Sequence, residues 1–323
     1  MTPAISALRE HLPGAQIALA VSHECESILP AIKGIQKTFL TKRGLLDLST
    51  WMQIWRVSFD CVIDFSRNDR SAWLTVLSAA PRRIVSDRLK IKSKIRLRFY
   101  NEFVDCAMKQ MHTADYYLAL LQPLGISATA NDPLLELPAA AQQRASSVIA
   151  DQIRHQSFVI FHPGSARVEK LWEPERWAAI IEFAANELDL FPVLSGGSTE
   201  LERAHLAAIR EKLHTTVLDL SGQLDLLSLA ALIEYARLLV TVDSAPMHLA
   251  SAAGTPQVIL FGPTNPFHWR PRKSPAAILF GESPEPLHHF QPREAKRPMK
   301  QISTASVINA MRFMVSAPAA SAV

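Results

Sequence analysis

Leu238 to Val242 is a short apolar run of the kind expected for a parallel strand covered on both faces. Asp243-Ser244 follows, where a strand ends and a helix begins, and both side chains suit a helix N-cap. Gly254-Thr-Pro256 closes that helix, Gln257 to Phe261 is the next strand, and Gly262-Pro-Thr264 is a second polar turn. The same scheme occurs twice earlier. Phe158-Val-Ile-Phe-His-Pro-Gly-Ser165 is a strand ending in a glycine turn, and Lys170-Leu-Trp-Glu-Pro-Glu-Arg-Trp177 leads into a helix running to about Leu188. Phe191-Pro-Val-Leu-Ser-Gly-Gly-Ser-Thr-Glu200 is a short strand, a Gly-Gly turn and an acidic helix start. Open parallel sheets bind ligands at the carboxyl ends of their strands, and the free N–H groups of a first helical turn seat phosphate. These units therefore place Ser165, Lys170, Gly196, Gly197, Glu200, Asp243 and Ser244 along one crevice.

The N-terminal half reads as a second α/β region. Thr2-Pro3 opens a helix, with Thr2 as N-cap and an apolar stripe of Ile5, Leu8 and Leu12. Pro13-Gly14 ends it, and Gln16 to Val21 and Phe59 to Phe65 are strands. After the second strand, Asp64-Phe-Ser-Arg-Asn-Asp-Arg70 precedes a helix through about Ala80. Pro138 to Ile153 reads as a helix leading into the second domain. The expected domains are residues 1–150 and 151–315, with a disordered tail over 316–323. Arg82 to Arg98 holds eight basic residues and one acidic residue, Asp87. From Lys90 to Arg98 charge alternates with Ile91, Ser93, Ile95 and Leu97, which would put cations on one face of a strand, whereas a helix would scatter the charge around it. Such a face meets either an anionic partner, such as a phosphorylated glycolipid or the leaflet presenting it, or only solvent.

Composition narrows the class. The chain has 323 residues, 48% hydrophobic and 20% charged, with a net charge of +4. That is enough for two globular domains, and the modest charge with few stacking aromatics near the basic segment argues against nucleic-acid binding. No run approaches the roughly 20 apolar residues of a membrane span, and no export signal is visible, so a cytoplasmic location is expected. Cys25, Cys61 and Cys106 are too widely spaced for a metal site or disulfide framework. A nicotinamide-dependent oxidoreductase would want Gly-x-Gly-x-x-Gly after a first strand, and the pattern does not occur.

Taken in order, His162-Pro-Gly-Ser165, Lys170-x-Trp172-x-Pro-Glu-x-Trp177, Gly196-Gly197, Asp243-Ser-Ala-Pro-Met-His248 and Phe261-Gly-Pro-Thr264 resemble the ADP-heptose:lipopolysaccharide heptosyltransferases, glycosyltransferase family 9. The Asp-Ser-x-Pro-Met-His form and Phe267-His-Trp-Arg-Pro271 look closest to the branch adding the third, side-branch heptose. The resemblance implies a GT-B fold, two Rossmann-like doubly wound domains facing a cleft, with the first as acceptor domain and the second holding the donor. It implies inverting transfer of heptose from ADP-heptose to the inner core of lipopolysaccharide, without metal or other cofactor, by a cytoplasmic enzyme; the basic face of Arg82–Arg98 would then either contact the inner membrane peripherally or meet only solvent.

Departure of the diphosphate builds negative charge that fixed donors and a cation should meet. Lys170 is the expected cation, with Ser165, Ser244 and the backbone after Asp243 as donors. By resemblance Asp243 orients heptose hydroxyls, since a carboxylate repels diphosphate, and Glu200 meets the nucleotide ribose. Leu224 lies near the adenine, and Gly197, Ala245, Met247, Gly262 and Thr264 complete the donor site. His248 either reaches the sugar or packs against the sheet, and Trp172 and Trp177 read as core. Asp64 and Arg70 either face the acceptor or serve as a capping residue and a solvated cation. One departure stands out. Family members open with a buried strand and a Gly-Asp turn whose aspartate accepts the acceptor proton, and this sequence begins at Met1 inside the helix that follows. The sequence leaves two expectations: a start codon assigned too late in an active enzyme, or a truncated homologue that binds ADP-sugar and catalyses poorly.

Overall fold

Parallel strands alternate with helices along the chain, which divides into two units, Met1–Leu134 and Leu135–Val323. The computed structural model describes residues 1–42, 47–129 and 133–316. In the first unit, β1 (Ala18–Ser22) pairs with β2 (Lys37–Thr41), while β3 (Cys61–Asp64), β4 (Arg82–Ser86) and β5 (Glu102–Val104) form a separate sheet in that order. All pairings are parallel. Among the described residues β1 and β3 each pair on one edge alone. Both are thinly covered: only Leu19 of β1 and Asp64 of β3 are buried. The helix Thr2–His11 joins a small core of Ala4, Ala7, Leu118, Leu121 and Ile126, with Ile63 of β3 packed on it. That helix takes Thr2 as its first residue, so Met1 and not Thr2 occupies the cap and no side chain caps the turn.

The basic segment is not a strand beyond Ser86. Leu89–Lys92 and Lys94–Leu97 are short helices, the second capped by Ser93 Oγ, which accepts from Arg96 N at 3.4 Å. Four of its five arginines are spent inside the unit. Arg82 makes two 2.7 Å bonds to Glu102, and Arg83 Nη1 donates to Ala80 O. Arg88 meets Asp105, and Arg96 Nη1 donates to Arg67 O. The alternating charges therefore form no single cationic face; Lys90, Lys94 and Arg98 remain exposed.

In the second unit β6 (Phe158–His162), β7 (Phe191–Leu194), β8 (Leu218–Asp219), β9 (Leu238–Val242), β10 (Gln257–Phe261) and β11 (Ala276–Phe280) form one sheet in the order β11-β10-β9-β6-β7-β8. Every residue of β6, β9 and β10 is buried, which is why each reads in sequence as a mostly apolar run, with His162, Thr241 and Gln257 as the buried polar positions. Strand order reverses between β6 and β9, so the two turns following them flank the switch point of a doubly wound sheet. One face buries Phe161, Val240 and Leu260 under Trp172, Trp177, Ile181 and Met311; the other buries Met247, Ile259, Phe261 and Phe280. The helix Ala139–Val148, which the sequence places at the end of the first domain, packs on the helix Leu226–Tyr235 and belongs to the second unit. The last helix, Thr304–Ser316, includes the first residue of the expected tail; Ala317–Val323 lie outside the described residues. Among the described residues no helix is long and apolar enough to cross a membrane.

Trp172 fixes the segment after β6 to the last part of the chain. Its ring stacks edge-on with Trp177 at 5.5 Å, and its Nε1 donates to Ile302 O at 3.1 Å. Trp172→Ala should lower the unfolding free energy by about 3–5 kcal/mol, read from urea midpoints, because the cavity is large and the carbonyl loses a buried donor.

Candidate functional site

The second unit brings most of the expected donor residues to the carboxyl ends of its strands. Lys170 leaves a short 3₁₀ turn after β6 and reaches across the switch point to the end of β9. Its Nζ donates to Asp243 Oδ2 at 2.6 Å and to Asp243 O at 2.8 Å. The pair is nearly enclosed, with side-chain exposures of 14% and 10%. Lys170 is thus held twice by one residue. Asp243 supplies its counter-charge.

Neither side chain in the β9 turn caps the next helix. Ser244 occupies the N-cap position of Ala245–Ala253, but its Oγ turns back, donating to Val242 O at 3.3 Å beside Thr241 Oγ1. The expectation of a side-chain cap is therefore corrected. Ser244 is drawn to a strand-end carbonyl, and the first helical turn keeps its N–H groups clear of any side-chain cap, as a phosphate seat requires. Ala245 is exposed there and His248 half-buried. Met247 is fully buried in the apolar cluster with Phe261 and Phe280, so its side chain is core and its backbone alone remains for a ligand.

On the β6 side, Ser165 is buried and its Oγ accepts from Arg167 N at 3.2 Å. His162 bonds Ser195 Oγ through Nδ1 at 3.0 Å, and Ser195 Oγ donates to Phe161 O at 3.3 Å, which ties the β6 and β7 turns together. Burial pushes the His162 imidazole down to about 4.

Two acidic residues, Glu200 and Glu202, stand at these turns. Glu200 begins the helix Glu200–Arg210 and is exposed. Glu202, one of its buried residues, lays its carboxylate against both glycine turns. A Cβ at Gly164 would lie 2.6 Å from Oε1, and one at Gly197 would lie 2.4 Å from Oε2. Thr199 Oγ1 donates to Glu202 Oε2 at 2.7 Å and accepts from Glu202 N at 3.3 Å. The spacing Thr199-x-x-Glu202 is the capping-box signature, so the sequence signal was present but read only as helix entry. Leu224 is half-buried in the turn after β8, whose Gly222 N donates to Gly196 O at 2.9 Å. Beyond β10, Gly262 gives room to Met299, whose Sδ would lie 2.5 Å from a Cβ at that position. Thr264 Oγ1 is shielded from solvent and meets no protein partner.

In the first unit, Asp64 is buried, and its own turn occupies it. Oδ1 accepts from Ser66 N and Arg67 N at 2.8 and 2.9 Å; Oδ2 accepts from Ser71 Oγ at 2.8 Å and Tyr100 Oη at 2.5 Å. With both oxygens saturated, it organises the turn and does not offer itself to an acceptor. Asn68 caps the following helix. Arg70 is half-buried in that helix's first turn.

The neutral state of His162 makes a pH prediction. Below about 6.5 the unfolded chain takes up a proton that the folded His162 refuses until about pH 4, so stability rises with pH across that window. Between pH 7 and 5, wild type should lose about 2 kcal/mol more unfolding free energy than His162→Gln, measured by urea denaturation. His205, also lowered by burial, contributes equally to both proteins.

Comparison with known proteins matches this geometry to a family. The sequence profile of glycosyltransferase family 9 (heptosyltransferase) matches residues 48–297. Lipopolysaccharide heptosyltransferase 3 of Escherichia coli is 26% identical over 84% of this chain and 81% of its own. The fold matches that of a family 9 glycosyl transferase from Veillonella parvula with a TM-score of 0.82 at 23% identity, over 97% of this chain and 92% of the other. It also matches that of the Escherichia coli heptosyltransferase WaaC solved with ADP, with a TM-score of 0.72 at 19% identity over 97% and 92%. The chain belongs to glycosyltransferase family 9, the heptosyltransferases, and is a glycosyltransferase of GT-B architecture.

Proposed function

We propose that this chain transfers a heptose from ADP-heptose to the inner core of lipopolysaccharide, with inversion and without a metal ion. The observation that carries the proposal is the Lys170–Asp243 pair at the switch point of the nucleotide-type sheet, beside an uncapped helix start. A diphosphate seated on that helix start would draw Lys170 from Asp243. The carboxylate, released, would then accept hydrogen bonds from heptose hydroxyls. As the acceptor oxygen attacks the anomeric carbon, the bond to the diphosphate breaks and its electron pair leaves with ADP. Lys170, Ser165, Ser244 and the first-turn N–H groups stabilise that charge. Glu200, exposed at the start of its helix, meets the ribose hydroxyls, with Glu202 bracing the two glycine turns beside it and Leu224 beside the base. Thr264 Oγ1 and the Gly262 turn lie at the sugar end, with His248 in reach of them. Arg70 keeps its expected place on the acceptor side. Any membrane contact through the basic segment would rest on Lys90, Lys94 and Arg98.

A second reading, an ADP-sugar binder of low turnover, is favoured by one observation. The orders β2-β1 and β3-β4-β5 would match the order of the second sheet if one more parallel strand lay between β1 and β3. By resemblance that strand leads into the turn carrying the proton-accepting aspartate, and general-base help is worth about 10²–10⁴ in rate. Asp64, saturated by its turn, does not substitute.

Lys170→Ala should weaken ADP binding by roughly 10- to 100-fold in calorimetry. An unchanged affinity would sink the donor reading. Heptose transfer should survive a molar excess of EDTA; its loss, restored by a divalent cation, would refute the metal-independent mechanism. Extending the chain by the in-frame codons upstream of Met1 separates the two readings. A rate increase of roughly 10²-fold or more marks the present chain as lacking its base, and an equal rate rejects the low-turnover reading.

A further inference from the structure

Arg297 is a cation that the fold positions and leaves without a counter-charge. It lies on the stretch crossing the carboxyl ends of β10 and β11. Its backbone N–H donates to Gly262 O at 3.1 Å, and its guanidinium lies 4.9 Å from the centroid of the Phe280 ring. Two glycines make this passage possible. A Cβ at Gly281, whose φ is +70°, would lie 2.4 Å from Arg297 Cδ and 2.6 Å from Nη1; one at Gly262 would lie 3.1 Å from Arg297 O. The side chain therefore runs in a slot, with the aromatic face beneath it. Arg82, Arg88, Arg167, Arg176 and Arg210 each meet a carboxylate. Arg297 meets none among the described residues, and no protein acceptor bonds its guanidinium.

Its place along the sheet decides what it can bind. Phe280 shares a cluster with Met247, which sits in the first turn of the helix after Asp243. Gly281 lies two strands beyond Asp243, about 10 Å away at ordinary strand spacing, and on the opposite side from the β7 turn that carries Glu202. On the donor reading above, on which this inference rests, ribose, diphosphate and heptose follow one another from β7 toward β10. Heptose is uncharged, and the diphosphate already has Lys170. We propose that Arg297 binds an anionic group, phosphate or carboxylate, on the acceptor saccharide beside the attacking hydroxyl. Such a contact selects acceptors by their charge and contributes nothing to holding the nucleotide.

Calorimetry with deacylated inner-core oligosaccharide lacking the side-branch heptose tests this, run with and without ADP so that it reports on Arg297 independently of the donor reading. Arg297→Gln should weaken oligosaccharide binding roughly 10-fold or more and leave ADP affinity within about twofold. Arg297→Lys should recover part of the loss, and melting temperatures of both variants should match wild type. The same titrations with dephosphorylated and with carboxyl-reduced oligosaccharide identify the source, since the treatment that erases the difference between wild type and Arg297→Gln names the group. The proposal is overturned if wild type does not bind the oligosaccharide, if Arg297→Gln binds it as wild type does, if neither treatment erases the difference, or if ADP affinity falls in parallel. Wild type that ignores ADP defeats the donor reading alone.

Discussion

The second unit is organised around one electrostatic constraint: an ammonium group must be held at the switch point of a parallel sheet when no substrate is present. An isolated lysine in so enclosed a place would bear a desolvation cost of several kcal/mol. Asp243 removes that cost with two acceptors from one residue, carboxylate and carbonyl. The carbonyl contact orients Lys170 against the backbone of β9, so the ammonium stays close to the diphosphate seat even when the carboxylate turns to another partner. On the proposed reading a diphosphate would compete with this ion pair, which would lower affinity for simple anions and favour ligands that also give Asp243 something to bind, as a sugar rich in hydroxyls does.

Glycine does comparable work at the neighbouring turns, for a packing reason. Glu202 can lie between the β6 and β7 turns because Gly164 and Gly197 have no Cβ; any side chain there would come within 3 Å of its oxygens. Thr199 then fixes the carboxylate from one side. His162 and Ser195 lock the two strand ends beneath it. The result is a rigid base for the helix start that bears Glu200, the condition under which a ribose diol can be recognised without reorganisation.

How much of this was legible in sequence depended on how local the cause was. β9 and β10 read correctly to the residue because strands buried on both faces are apolar along most of their length. Lys170 and Asp243 were legible from motif order, yet nothing in spacing told that they would pair. The Lys90–Arg98 stretch left strand and helix both open for a physical reason. Two helices of four residues, broken at Ser93, are too short to display a helical period, and strict alternation over the break imitates a strand. Glu200 was named by resemblance, whereas the bracing role of Glu202 depends on contacts with two glycine turns that no local spacing shows. Asp64 looked like a ligand-facing carboxylate, but four donors within its own unit claim it. Those donors include Tyr100, far away in the chain, which no local pattern could reveal.

Arg297 marks the limit of such reading most clearly, because each cause of its position lies elsewhere in the chain. Gly262 and Gly281 end different strands, Phe280 belongs to a core assembled with Met247, and the arginine itself follows a proline- and histidine-rich stretch with no motif. Only the sheet order β11-β10-β9 brings them to one edge. The charge pattern along that edge then has a direction. A carboxylate lies at the β7 turn, a neutralised ammonium at the switch point, and an uncompensated guanidinium beyond β10. A nucleotide sugar laid along it would place hydroxyls on the acid and phosphates on the lysine. The free cation would lie past its neutral sugar, where the second substrate must arrive. Arg312 also lies over an aromatic ring, that of Phe183, so the missing carboxylate alone does not single Arg297 out; its place at the carboxyl ends of the strands, beyond the ion pair, does.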